Sequence, residues 1–423
     1  MSESAVSSPA IRTALAIRAA ELDASDELGK VREQFVLDTG SGHAADAPGV
    51  YLDGNSLGAL PAAVPAHVAD VVAREWGELR IRSWTESGWW EAPERIGDLI
   101  APLVGAAAGQ IVVGDSTSVN VFKAVVGAVR LAGEGRDEIL VDEGTFPTDG
   151  YIATSAARLT GCTVRPVPLD SLAAAVGPRT AAVLINHVDY RSGRLHDLPG
   201  LTAAVQAAGA PGVWGLCHRA GAPAGGLGAH RGVPVGLDAH GVDLAVGCTY
   251  KFLNGGPGSP AYLYVAARHQ AAFDSPLPGW NSHVEPFGMR PEFVPVDGAR
   301  RGRVGTPDIL SMAALEAALG VWDGVPVEAV RAKSLALTDF FLECVAAYVP
   351  EGRVSVLTPL EHDARGSQVA LRCDDASDVM AALIARGVVG DFRAPDVLRF
   401  GFTPLYLGFA DVERAARVLA EVL

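Results

Sequence analysis

Residues 242–265 read VDLAVGCTYKFLNGGPGSPAYLYV. An apolar run, Leu244–Gly247, leads to Lys251 and the glycine-rich NGGPG at 254–258, and a second apolar run, Ala261–Val265, follows. A strand that delivers one lysine just past its end suits an amine that must shed its proton. Desolvation lowers a lysine's pKa and lets the amine act as a nucleophile toward a carbonyl. The glycines allow backbone to approach a bound molecule without a side chain in the way. Taken alone, the stretch is more simply that of a surface lysine in a hairpin.

Working outward, short β-branched runs alternate with helical stretches. The strand candidates are Ile111–Val113, Glu138–Val141, Thr163–Val167, Ala181–Ile185 and Gly212–Leu216, with the two runs around Lys251 completing the set. Helices are expected at Ala10–Ala24, Glu27–Phe35, Ala62–Trp76, Val119–Leu131 and Leu198–Ala207. Such alternation predicts an α/β chain with a mostly parallel sheet covered on both faces. After Pro307 the pattern becomes α+β. It has helices Ile309–Trp322, Val327–Tyr348, Ala376–Arg386 and Phe409–Leu423, and strands near Arg353–Leu357, Gln368–Leu371 and Val397–Gly401. The expected organisation is an N-terminal segment (1–50) packing with a small domain, a large domain (51–308) and a small α+β domain (309–423).

Composition narrows the function. At 423 residues the chain suits a large and a small domain. A net charge of −15 without a basic run argues against nucleic acid or an anionic membrane as partner. Five scattered cysteines without a CxxC pair give neither a disulfide framework nor a zinc site, and no metal is expected. The first residues lack the basic start and apolar core of a signal peptide, and no apolar run approaches a membrane span. A soluble, cytoplasmic protein is expected.

The ordered set of motifs resembles the kynureninase family. These are YLDGNSLG (51–58), EWGELRIRSW (75–84), DSTSVNVFK (115–123), FPTDGY (146–151), HVDYRSG (187–193) and CHRAGA (217–222). GCTYKFLNGGPG (247–258), GW (279–280), GTPDILS (305–311), RGSQVAL (365–371) and LRFGFTPLYLG (398–408) follow in the same order. The resemblance implies the aspartate-aminotransferase-like fold, fold type I, with pyridoxal 5'-phosphate as cofactor. It also implies hydrolysis of the Cβ–Cγ bond of kynurenine, or a ring-substituted relative, to an anthranilate and alanine. A homodimer is implied, because sites of this fold borrow residues across the interface.

The resemblance assigns residues by position. Lys251 would hold the cofactor and move protons, with Tyr250 assisting. Thr117 and Ser118 would bind the phosphate at a helix start, although a plain N-cap explains them equally. Phe146 would stack on the ring and Asp149 would bond its edge from a loop; an ordinary Asx turn is the plainer account. Asn186 and His218 would also contact the cofactor, and Trp280 and Thr306 would close the phosphate site, from the partner subunit. Arg399 would clamp the substrate carboxylate with its two-pronged guanidinium, and Ser56 would reach the substrate.

One position departs from the family. The resemblance places an aspartate three residues before His218, paired with the protonated pyridine nitrogen, where this chain has Gly215. Arg219 stands where a small serine is usual, and PAGGLGAHRG (223–232) lengthens the stretch before Lys251. Asp238 and Asp243 are the nearby carboxylates that could substitute, Asp243 being better placed as a structural residue. If nothing compensates Gly215, turnover on plain kynurenine should be low, because losing one preorganised electrostatic partner typically costs about a hundredfold. Altered chemistry, an altered substrate or a degenerate homologue are the alternatives.

Overall fold

A computed structural model describes residues 9–37, 49–216 and 235–423. Strand β1 (Val50–Tyr51) lies apart from the main sheet. That sheet contains β2 (Ile111–Val113), β3 (Glu138–Asp142), β4 (Thr163–Val167), β5 (Thr180–Asn186), β6 (Gly212–Gly215), β7 (Leu244–Gly247) and β8 (Tyr262–Val265). Their spatial order is β2-β8-β7-β6-β5-β3-β4. The pairs from β4 through β7 are parallel, and β8 runs antiparallel to both neighbours.

Burial explains why these runs are strands. Every residue of β5 and β7 is buried, as expected of parallel strands covered on both faces. On one face, Ile139, Ala182, Leu184 and Val213 pack against Val121 and Val125 of helix Thr117–Ala132. On the other, Leu140, Val183, Ile185 and Trp214 join a larger core that runs into the C-terminal part.

Beyond residue 308, β9 (Ser355–Val356), β10 (Gln368–Arg372), β12 (Asp391–Arg393) and β13 (Val397–Gly401) form an antiparallel sheet. β11 (Val388–Val389) pairs in parallel with β1, so the GNSLG turn after β1 is anchored to the C-terminal part. The N-terminal helix Pro9–Ala24 is anchored there too: Asp23 accepts hydrogen bonds from the N–H groups of Phe409 (2.6 Å) and Ala410 (2.9 Å), capping the last helix.

Most expected elements form, with instructive differences. Helix Ala62–Trp76 becomes an α-helix, Val64–Asp70, that widens into a π-helical stretch, Val71–Leu79. Glu27–Phe35 tightens to a 3-10 turn, Gly29–Gln34. Helix Pro147–Thr160 forms where a loop is expected, so Asp149 sits in a first helical turn. No single helix among the described residues is long and apolar enough to cross a membrane.

The strand order reverses beside β3: the chain moves outward to β4, then returns to β5 on the other side. In open parallel sheets such a switch, at the carboxyl ends of the strands, makes a crevice that binds ligands.

Candidate active site

Lys251 lies at that carboxyl edge, four residues beyond the end of β7, so it and Tyr250 escape the alternation of the strand. The Gly255 N–H donates to the Thr249 carbonyl (3.0 Å), and that of Asn254, in a left-handed conformation (φ +56°), to the Lys251 carbonyl (3.0 Å). The GNSLG turn packs against the loop: the Gly58 N–H donates to the Tyr250 carbonyl (2.8 Å), and a Cβ at 58 would lie 2.2 Å from the Lys251 carbonyl oxygen. Only glycine fits there. The Lys251 Nζ sits 5.6 Å from the centroid of the Tyr250 ring.

Asp149 and Asn186 meet above the switch between β3 and β5. The Asn186 Nδ2 donates to Asp149 Oδ2 (3.0 Å) and to Thr145 Oγ1 (2.8 Å). Burial raises the pKa of Asp149, opposed by the Asn186 hydrogen bond and the positive charge of Lys251, so the carboxyl and the lysine share one electrostatic environment. Phe146 stands edge-on to Tyr190, with centroids 5.2 Å apart. The oxygen of the Asn186 amide is buried and has no hydrogen-bond partner among the described residues.

Helix Thr117–Ala132 starts at the same edge. Its cap is Ser116, whose Oγ accepts from the Val119 N–H (3.3 Å). Thr117 and Ser118 are therefore the first two helical residues, which removes the N-cap account of them. N–H groups in a first turn have no partner within the helix and suit an anion. Lys123 on this helix is buried against Asp115 (2.8 Å) and the Gly302 carbonyl (2.6 Å). Its burial lowers its pKa, and Asp115 opposes the shift.

The carboxylate clamp expected at Arg399 has surroundings that sequence reasoning missed. The side chain is 1% exposed. Its Nη1 donates to the Tyr190 carbonyl (3.0 Å), and its Nη2 to Ser56 Oγ (3.1 Å) and to Asp391 Oδ2. Its Nε is buried without a partner among the described residues. Asp391 faces Arg399 across β12 and β13, a pairing visible only once the register is known. Ser56 and Arg399 are thus brought together, as the resemblance implies.

Trp280 and Thr306 have their own surroundings. Trp280 packs on Trp90 and Phe287 (centroids 5.6 and 5.8 Å) and is 38% exposed. Thr306 lines a cavity of about 190 Å³ beside Asp115, Asn120, Lys123 and Arg303. Lys251, Asp149 and Arg399 are not among that cavity's walls. His218, Cys217, Arg219 and the 223–232 stretch lie outside the described residues.

Neither substitute carboxylate serves the site. Asp243 accepts from the Gly212 N–H, Arg268 and His269 before β7 begins. Asp238 is taken up by the Ala107 N–H, Gln110 and the Tyr264 hydroxyl.

These residues fit a phosphorylated pyridine aldehyde: an amine at 251, an anion-receptive helix start at 117, an aromatic ring at 146 and an unsatisfied acceptor at 186. Among solved structures, the chain is similar to a cysteine desulfurase from Thermococcus onnurineus (TM-score 0.74, 16% identity, covering 93% of this chain and 97% of that one). It is also similar to a C-DES mutant with glycine covalently linked to its PLP cofactor (TM-score 0.73, 18% identity, covering 92% and 98%). At such identities the likeness speaks for the fold, and fold and site together define a pyridoxal-phosphate-dependent enzyme of fold type I. Residues 330–419 match the kynureninase C-terminal domain family. The chain is 48% identical over 410 residues to a kynureninase of Deinococcus radiodurans, covering 95% of each. It is 44% identical over 408 residues to one from Burkholderia pseudomallei, covering 95% of this chain and 94% of the relative. The chain belongs to the kynureninase family.

Proposed function

We propose that this chain is a pyridoxal-phosphate-dependent hydrolase that cleaves the Cβ–Cγ bond of kynurenine, or a ring-substituted kynurenine, to an anthranilate and alanine. The observation that carries the reading is a half-buried lysine, held by a glycine-dependent loop at the crevice, in the field of Asp149 and within one fold of a buried arginine with an unsatisfied N–H.

Bound there, pyridoxal phosphate supplies an aldehyde for the substrate amine and a ring that withdraws electrons from the bonds at the α-carbon. Lys251 would hold the cofactor and then carry the α-proton at Nζ. Tyr250, in contact with Lys251, would pass protons at its hydroxyl. The N–H groups and hydroxyls of Thr117 and Ser118 would take the phosphate. Phe146 would cover the ring, and Asp149, Asn186 and His218 would bond its polar edge.

Arg399 would orient the substrate carboxylate through its Nε, the guanidinium donor its protein partners leave open, with Ser56 beside it. An orphaned buried N–H costs about 1–3 kcal/mol, so a carboxylate arriving there satisfies a donor already desolvated. Trp280 and Thr306 would close the phosphate site from the partner subunit of a homodimer. In that reading residues 51–308 are the cofactor-binding domain, 309–423 the small domain and 1–50 a segment packed on it, in a soluble cytoplasmic enzyme.

The test is incubation of the purified protein with kynurenine, with mass-spectrometric detection of products. Equimolar anthranilate and alanine are expected. A transaminated product, or kynurenine and its ring-substituted relatives all left unchanged at saturating cofactor, would overturn the reading.

A further inference from the structure

Asn186 and Gly215 are paired residues on neighbouring parallel strands, each the last of its strand. Gly215 is not among the residues with positive φ, so glycine is not needed there for backbone conformation. It is needed for space. A Cβ at 215 would lie 2.2 Å from Asn186 Oδ1 and 3.2 Å from its Cγ. The amide of Asn186 therefore occupies the volume that any side chain at 215 would enter, including the carboxylate the resemblance places there.

The amide's orientation follows from its partners. Its Nδ2 faces the carboxylate of Asp149 and the hydroxyl of Thr145, which turns Oδ1 toward Gly215. Asn186 is 5% exposed, and Oδ1 has no donor among the described residues. Buried carbonyl oxygens are rarely left without one, and an exception asks for a missing partner. The unsatisfied acceptor adjoins Asp149, at the crevice that Lys251 enters.

We propose that Asn186 Oδ1 accepts the hydrogen bond of the cofactor's pyridine nitrogen, replacing the carboxylate absent at 215 by a neutral acceptor. This rests on the pyridoxal-phosphate reading above. The exchange has a chemical consequence. A carboxylate stabilises a protonated ring nitrogen by charge and hydrogen bond together, an amide oxygen by the hydrogen bond and dipole only. The nitrogen's proton is therefore lost at lower pH here than beside a carboxylate. The amide's other end fixes Asp149, so one side chain does two jobs.

The test uses the full chain reconstituted with pyridoxal phosphate labelled with ¹⁵N in the ring. It reads the pH midpoint of the ring-nitrogen shift and the cofactor dissociation constant, both apart from turnover. Asn186→Ala is expected to weaken cofactor binding about tenfold and to lower the midpoint, the scale of one hydrogen bond to a charged group. Gly215→Asp alone should weaken binding through the collision with Asn186. In the Asn186→Ala background the same aspartate should restore binding and raise the midpoint above the parent's. This reversal of sign is what a merely structural role for Asn186 would not give. If Gly215→Asp alone fails to fold, Asn186→Ala and the double variant still decide. An unchanged midpoint in Asn186→Ala, with binding intact, overturns the proposal and leaves Asp149 as the nitrogen's partner. A parent chain that takes up no cofactor overturns instead the reading beneath it.

Discussion

Replacing Arg399 by lysine keeps the positive charge and removes the fork. The guanidinium serves Tyr190 and Ser56 at 3.0 and 3.1 Å and also contacts Asp391, while its Nε remains for a ligand. One ammonium cannot hold these anchors and also present the N–H that Nε keeps for a carboxylate. A hydrogen bond to a charged group contributes about 1.5–3 kcal/mol. Losing it should cost about 1.5–3 kcal/mol, roughly 10- to 150-fold in kcat/KM. If the contact orients the substrate equally in ground and transition states, the loss falls on KM. The assay is steady-state kinetics on kynurenine, with a thermal melt to show that the Arg399→Lys variant is folded. A folded variant within about threefold of the parent in kcat/KM would refute the clamp.

Two further outcomes follow from packing and charge. Gly58→Ala places a methyl 2.2 Å from the Lys251 carbonyl and should destabilise the Lys251 loop by about 1–3 kcal/mol and weaken cofactor retention. Gly177→Ala, with nothing within 4 Å, should be near neutral, and equal effects on thermal stability and cofactor binding would contradict the contact. Asp243 is buried, which pushes its pKa up, but His269, the Gly212 N–H and Arg268 outweigh this and hold it below the usual carboxylate range. Its contribution is therefore complete above that range and lost as pH falls through the lowered folded-state value. Asp243→Asn should lose about 1–3 kcal/mol at pH 7 in urea unfolding, with a gap that closes in acid; a gap that widens would reverse the sign.

What was legible in the sequence shared one property, local repetition. Val327–Tyr348, Leu244–Gly247 and Val397–Gly401 stand where apolar spacing puts them, because burial of contiguous residues writes itself into composition. Lys251 was legible because glycines and two apolar runs frame it. Asp391 was not, since β12 is three residues long and shows no period. The partner role of Tyr190 is played by a backbone carbonyl, which leaves no mark on residue type. Asn186 and Gly215 carry a signal only as a pair, and the pairing depends on the register of β5 and β6. Gly215 by itself reads as a loss; beside Asn186 it is the space the amide needs.

Borohydride reduction followed by peptide mapping tests most directly whether Lys251 bonds covalently to the aldehyde coenzyme. A single pyridoxyl-modified peptide bearing Lys251 is expected, absent from Lys251→Ala. Label on another lysine, or none on a protein loaded with cofactor, would contradict it.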